Sequence, residues 1–291
     1  MLKQLNYEIA GHRLVLYTAD TQKTAALLPT FYPFVSFKCY DETDDFLFSL
    51  TGNRPIELPD SAAEDKLEFD GRYSEVYRTR DGIIVTMRIN DMKRHFHIST
   101  DWKNISTDLS LINREERFFL YRFIVTLFGM TSARHQTIKI HASVTELNGK
   151  ALILLGKSGT GKSTHSRLWR KYVPGSTLLN DDEPILRVLE DGNVKVFGAP
   201  WSGSMPCYKN ESADVAAIVH LCQSHDNQLF KLGNMGALSS FYSSTVQFRS
   251  DPAIKTMILD TVTIILEHVP VYWLDCRPDR EAVMLTKSLM A

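Results

Sequence analysis

The chain has 291 residues, of which 44% are hydrophobic and 23% charged, the make-up of a globular protein with one large or two modest domains. Its 33 basic and 34 acidic residues leave a formal net charge of −1, which excludes a chain-wide surface for nucleic acid or an anionic membrane. Four cysteines, Cys39, Cys207, Cys222 and Cys276, stand far apart without a C-x-x-C pair. They are expected as free thiols in a reducing cytoplasm rather than a zinc ribbon or redox motif.

No signal-peptide pattern opens the chain. Residues 1–110 read as a β-rich, mainly antiparallel domain. Leu5–Ile9 and Arg13–Tyr17 flank the turn Ala10-Gly11-His12, Thr21–Leu28 has a short helical pattern, and Phe34–Tyr40 and Phe46–Leu50 alternate weakly. Pro55–Asp65 reads as a loop. Tyr73–Arg78, Ile83–Ile89 and Lys93–Ile98 read as strands punctuated by Arg80-Asp81-Gly82. Residues 111–136 form a connecting helix. Asn113 with Glu116 resembles a capping box, and Phe119, Phe123, Leu127 and Met130 recur at helical spacing. The apolar stretch Phe118–Gly129 contains Arg122 and is shorter than the roughly 20 residues a membrane span needs, so it reads as a core helix.

Residues 137–291 form the second domain. Asn148-Gly149 between the apolar runs Thr137–Leu147 and Lys150–Leu155 is a strong hairpin signal. Gly156–Thr164, GKSGTGKST, follows at once and contains G-x-x-x-x-G-K-[ST], with a helical pattern after it. A strand, a glycine-rich turn and a helix in that order aim backbone N–H groups at phosphate. Gly156, Ser158, Gly159, Thr160, Gly161, Lys162, Ser163 and Thr164 are the nucleotide-binding candidates. Lys162 would bridge the terminal phosphates of ATP, and Ser163, with Thr164 beside it, would give Mg²⁺ a hydroxyl.

Downstream, Ser176–Asn180 reads as a strand ending in Asp181-Asp182-Glu183-Pro184, and Ile185–Leu189 with Val194–Phe197 as a hairpin. Val215–Cys222 and Gln228–Leu232 read as another hairpin, around His225-Asp226-Asn227. Ala237–Tyr242, Ala253–Glu267 and Asp279–Leu289 read as helices, and Val271–Asp275 as a strand. Adjacent carboxylates on extended backbone point opposite ways. One of Asp181 and Asp182 can therefore face a metal while the other accepts a hydroxyl proton. His141, on the first arm of the Asn148-Gly149 hairpin, is the candidate catalytic histidine. His95 and His97 share a strand face but lack an evident third metal ligand. His165, Lys157, Arg277, Arg280 and Trp201 are each open between ligand contact and ordinary surface or packing roles.

His141-Ala142-Ser143, Asn148-Gly149-Lys150, GKSGTGKST and LLNDDEP together resemble the catalytic core of HPr kinase/phosphorylase and of phosphoenolpyruvate carboxykinase. The carboxykinase loop has the form G-x-S-G-T-G-K-T-T, and its acidic motif ends in Gly-Asp-Asp-Glu. The resemblance spans about residues 137–190. It implies an α+β or α/β fold with a P-loop core on a mixed sheet, and a histidine at 141 near the transferred phosphate. It also implies that Asp181 and Asp182 serve as general base and metal ligand. Thr164 stands where HPr kinase has glutamate, as in the carboxykinase, and no position in this sequence is assigned to the carboxykinase's oxaloacetate-binding arginine. The expected function is an ATP- and Mg²⁺-dependent kinase with a hydroxyl acceptor, serine foremost, in a protein, peptide or small metabolite. Residues 1–110 would recognise that acceptor. The alternatives are a carboxykinase-like enzyme and a non-catalytic nucleotide-binding module. Nucleotide and acceptor are the expected partners, without nucleic acid or membrane, and the resemblance is compatible with a homo-oligomer.

Overall fold

The computed structural model describes residues 2–38, 40, 45–69, 72–246 and 251–290; Cys39 lies outside them. Contacts divide the chain into two units, Met1–Thr131 and Ser132–Ala291.

In the first unit, among the described residues, eight strands form one sheet: β1 (Lys3–Ile9), β2 (His12–Thr18), β3 (Phe48–Thr51), β4 (Asp65–Phe69), β5 (Arg72–Thr79), β6 (Gly82–Ile89), β7 (Met92–Ser99) and β8 (Asn104–Thr107). Their order is β1-β2-β3-β8-β7-β6-β5-β4. Pairing is antiparallel except for β2 with β3 and β3 with β8, which are parallel. The helices are α1 (Thr21–Leu27) and α2 (Arg117–Ser132). Alternate residues of the strands turn inward, among them Leu5, Tyr7, Leu14, Leu16, Phe96 and Ile98. Phe119, Phe123, Leu127 and Met130 of α2 are all buried, and the Phe96 and Phe123 rings meet edge-on at 4.6 Å.

Three local expectations in this unit are corrected. Phe34–Tyr40 is not a strand: Pro29 and Pro33 hold Pro29–Phe34 in a 3-10 turn, and Val35 makes an isolated bridge to Tyr7. The capping box is only half made. Asn113 accepts from the Glu115 N–H at 3.1 Å, but Glu116 turns away to accept from Ser110 N–H and Arg94, each at 2.9 Å. Ser110 Oγ takes the Asn113 N–H instead, at 3.1 Å. The short polar strands β4 and β8 carry too few apolar residues to stand out in the sequence.

The second unit holds β9 (Thr137–Lys139), β10 (Ala142–Leu147), β11 (Lys150–Leu155), β12 (Thr177–Asp182), β13 (Ile185–Val188), β14 (Val194–Phe197), β15 (Ser212–Gln223), β16 (Gln228–Lys231) and β17 (Val271–Cys276). Its helices are α3 (Lys162–Tyr172), α4 (Asn234–Tyr242), α5 (Pro252–His268) and α6 (Arg280–Lys287). The strands make one mixed sheet with the path β12-β10-β11-β15-β14-β13-β9, and β17 and β16 branch from β15. Asn148 and Gly149, with φ of 52° and 81°, join β10 to β11 in a two-residue turn. β10 is antiparallel to both β11 and β12, so those two run the same way with β10 between them. β15 is parallel to β11, and β17 is parallel to β15. The carboxyl ends of β11, β12, β15 and β17 therefore share one sheet edge with the amino end of β10. That edge is where parallel strands present loops to ligands.

Two expectations change here. The first hairpin arm is split at Ile140-His141, because Ser244 O accepts the His141 N–H at 2.6 Å and Val246 donates to Lys139 O at 3.0 Å. β9 pairs with β13 instead of continuing β10. β15 and β16 do not form a hairpin either: β17 inserts between them, parallel to one and antiparallel to the other. Inside, Leu152, Leu154, Ala217, Val219, Leu221 and Leu274 pack with Trp169 and Val173 from α3 and its C-terminus, and with Val283 of α6. Trp169 is fully buried, and its indole N–H donates to Thr286 Oγ1 at 2.9 Å.

Candidate active site

The loop between β11 and α3 is closed by its own atoms. Thr160 Oγ1 donates to Lys157 O at 2.8 Å, and the Thr160 N–H to the same carbonyl at 3.2 Å. Gly156 has φ of 142°, and a Cβ there would stand 2.5 Å from Thr160 Oγ1 and 3.1 Å from Leu221 O. Both facts require glycine. α3 starts on Gly161 without a side-chain cap or an acidic residue in its first turn. Its leading N–H groups and the positive end of its dipole thus face the loop without a local carboxylate. The Lys162 ammonium folds back on Gly156 O (2.7 Å) and Lys157 O (3.3 Å). Burial lowers its pKa, while Asp182 and then Asp181 pull the other way.

The two aspartates make separate contacts, although Asp182, with φ of 104°, departs from the extended backbone expected of it. Asp181, 4% exposed, accepts the Ser163 hydroxyl at 3.2 Å and the Met205 N–H at 3.4 Å. The register sets Ser143 opposite Asp181 and Ala142 opposite Asp182, which brings His141 beside the second carboxylate. His141 Nδ1 lies 3.1 Å from Asp182 Oδ1, with both side chains close to half exposed. The hydrogen bond from His141 holds the Asp182 carboxyl below the usual carboxylate range. Burial opposes this, and the charges of His141, Lys162 and Lys139 reinforce it. A cleft of about 390 Å³ is lined by His141, Ser158, Lys162, Asp181, Asp182 and Ser204, among others. Gly159, Gly161, Ser163 and Thr164 border the same cleft. Ser163 and Asp181 offer hard oxygen donors of the kind Mg²⁺ takes, with further positions open to phosphate and water. Among the described residues no three of His, Cys, Asp and Glu gather as a metal cluster, and His95 and His97 are no exception. His95 Nδ1 instead meets Thr86 Oγ1 at 2.8 Å, and His97 faces Asp81 at 3.5 Å.

Other candidates fall outside this cleft. Trp201 is buried, donating to Glu183 O at 2.7 Å, with the Lys139 ammonium 5.3 Å from its ring centroid. Arg277 is paired with Asp279 (3.1 Å) and Glu281 (3.2 Å), while Lys157 and Arg280 are exposed. His165 lies between α3 and α6, with Nε2 3.1 Å from Thr286 Oγ1, and burial lowers its pKa to about 4. Between the ordinary 6.5 and that value only the unfolded chain binds this proton, so His165 makes stability fall as pH drops through the window. The loss is on the order of 3 kcal/mol across it. Urea melts of His165→Gln should show a flatter acid slope than those of the wild type.

Sequence reasoning missed two supports. Lys139, nearly inaccessible, binds Glu183 at 2.8 Å behind Asp182. The Gly198–Cys207 loop clamps the acidic pair: the Gly203 N–H donates to Asp181 O at 2.7 Å, and Ser202 Oγ to the same oxygen at 3.0 Å. A Cβ on Gly203 would meet Asp182 Cβ at 2.8 Å. Gly203→Ala should therefore push Asp182 from its place beside His141, a shift that the His141 ring resonances in NMR spectra would report. Small residues in a loop leave no local mark of such a contact; only the Gly198-Ala199-Pro200 sequence hints at a tight path.

Among solved structures, the Hpr(Ser) kinase/phosphatase from Coxiella burnetii is similar over 52% of this chain and 87% of its own, with 12% sequence identity and a TM-score of 0.30. No protein-family model matches the chain, and no curated protein does. A likeness of this extent carries no conclusion about function. No helix among the described residues is long and apolar enough to cross a membrane.

Proposed function

We propose that this protein is an ATP-dependent phosphotransferase of the HPr kinase type, moving the γ-phosphoryl group to a hydroxyl, serine foremost, of a protein, peptide or small molecule. The observation that carries this reading is the division of labour between the two aspartates around one lysine. Asp181 is tied to the Ser163 hydroxyl, and Asp182 is tied to His141. The loop N–H groups and Lys162 would hold the phosphates and neutralise charge that builds up during transfer. Mg²⁺, held by Ser163 and Asp181, would supply further charge neutralisation and align the phosphate chain. Asp182 would take the acceptor's proton as the acceptor oxygen attacks phosphorus and ADP leaves. His141 would keep that carboxylate oriented and ionised. A loop that seats phosphates but does no chemistry has no use for a half-exposed, histidine-paired carboxylate in the same cleft, which supports catalysis over simple nucleotide sensing.

The test is incubation with γ-labelled ATP and Mg²⁺ against free serine, serine-containing peptides and a cell lysate. Label should pass to a hydroxyl in the wild type and fall to background in Asp181→Asn. Transfer undiminished in that variant would remove the proposal.

A further inference from the structure

We infer that Ser204 is a phosphoryl acceptor within its own chain, so that position 204 is a modification site filled by the cleft it lines. The inference rests on the phosphotransferase reading, which sets the reacting end of the triphosphate beside Asp182 and His141.

The hydroxyls of this cleft are not equivalent. Ser163 is tied to Asp181 at 3.2 Å, and Thr164 Oγ1 accepts from Arg167 at 3.2 Å. Ser158 belongs to the glycine-rich loop, so it lies alongside a bound phosphate chain rather than beyond its end. Attack on phosphorus needs an oxygen in line with the departing ADP oxygen and opposite to it. Ser204 comes from the other wall, the Gly198–Cys207 loop. It follows Gly203, whose α-carbon packs so closely on Asp182 that a Cβ would stand 2.8 Å from the Asp182 Cβ. Ser204 is exposed, and among the described residues its hydroxyl makes no hydrogen bond. The cleft therefore holds a free hydroxyl next to the group that would act as base.

The loop is pinned on both sides of this residue. The Gly203 N–H donates to Asp181 O at 2.7 Å, and the Met205 N–H reaches Asp181 Oδ2 at 3.4 Å. Ser202 Oγ also meets Met205 O at 2.7 Å. A nucleophile already held in the site avoids the entropy cost that an outside acceptor meets. In the step, Ser204 Oγ bonds to the γ-phosphorus and the bond from that phosphorus to the bridging oxygen of ADP breaks. ADP leaves with the electron pair, and the hydroxyl proton passes to the Asp182 carboxylate. Arg170 Nη2 lies 3.7 Å from Met205 Sδ, one residue along, and offers a guanidinium to the charge that a phosphoserine adds.

The test is incubation of the wild type with γ-labelled ATP and Mg²⁺, first alone and then with the serine-containing acceptors, followed by phosphopeptide mapping by mass spectrometry. Label should be found on Ser204, and its rate of entry per chain should not change with protein concentration. Ser204→Ala should lower incorporation into the chain by about 10²-fold or more. Mapping of the wild type gives a readout that does not depend on how the variant folds. Transfer to an added hydroxyl or to water with Ser204 unlabelled overturns this inference and leaves the phosphotransferase reading standing. A rate per chain that rises in proportion to protein concentration overturns transfer within the chain. Label that leaves ATP by no route overturns both.

Discussion

Asp182→Asn should slow phosphoryl transfer by about 10²–10⁴-fold, the usual worth of a positioned proton acceptor, with Mg-ATP binding retained. The amide keeps the shape of the carboxylate and tolerates the left-handed backbone at this residue, φ 104°, so the fold should survive. What it loses is the lone-pair basicity that, on the phosphotransferase reading, would take the acceptor's proton. The His141 hydrogen bond holds the wild-type carboxyl below its ordinary range, so the base stays ionised well into acid. The sign for stability follows from the same shift: a depressed carboxyl stabilises the fold above its unfolded pKa, and that contribution fades as pH falls through the folded value. Single-turnover rates should therefore hold as pH falls to the ordinary carboxylate range. Undiminished transfer in Asp182→Asn would take the proton-accepting role away from Asp182.

Trp169→Ala should destabilise the second unit by about 3–5 kcal/mol, the range for removing a large buried aromatic side chain. The indole is wholly buried between α3, the sheet and α6, and Thr286 would lose one of its hydrogen-bond partners as well. A loss of that size lowers a melting temperature by about 6–20 °C in a unit of this size. Calorimetry would measure it. Trp169 stands two turns along the helix that begins with Lys162 and Ser163, so the same change should loosen the site. A melting temperature within a degree or two of wild type would mean that the pocket collapses around the missing ring.

The parts legible in the sequence are those specified by neighbours. Asn148-Gly149 marks its turn with two residues, and Gly156–Thr164 marks the loop with four. Asp181-Asp182 can be placed at a strand end because the apolar run Ser176–Asn180 leads into it and Pro184 stands two residues beyond it. The parts that are not legible depend on partners far along the chain. Whether β16 pairs with β15 or with β17 is decided by Val271–Cys276, well beyond the end of β15, and a short polar link looks the same in either case. The hairpin that points to His141 is not what positions it. His141 sits at a break forced by Ser244, and it reaches Asp182 through the register of β10 with β12. Gly203 is invisible because its role is to lack a side chain next to a residue distant in the chain.

On the phosphotransferase reading, the backbone at Asp182 sets stability and activity against each other at a single position. A non-glycine residue at φ 104° carries strain on the order of 1–3 kcal/mol. Glycine would relieve it, so Asp182→Gly should melt no lower than the wild type once the lost His141 contact is offset, and it should transfer no phosphate. Thermostability selection applied to this chain without an activity screen would thus favour inactive variants at position 182. Any effort to harden the protein for use should hold that residue fixed and look for gains elsewhere.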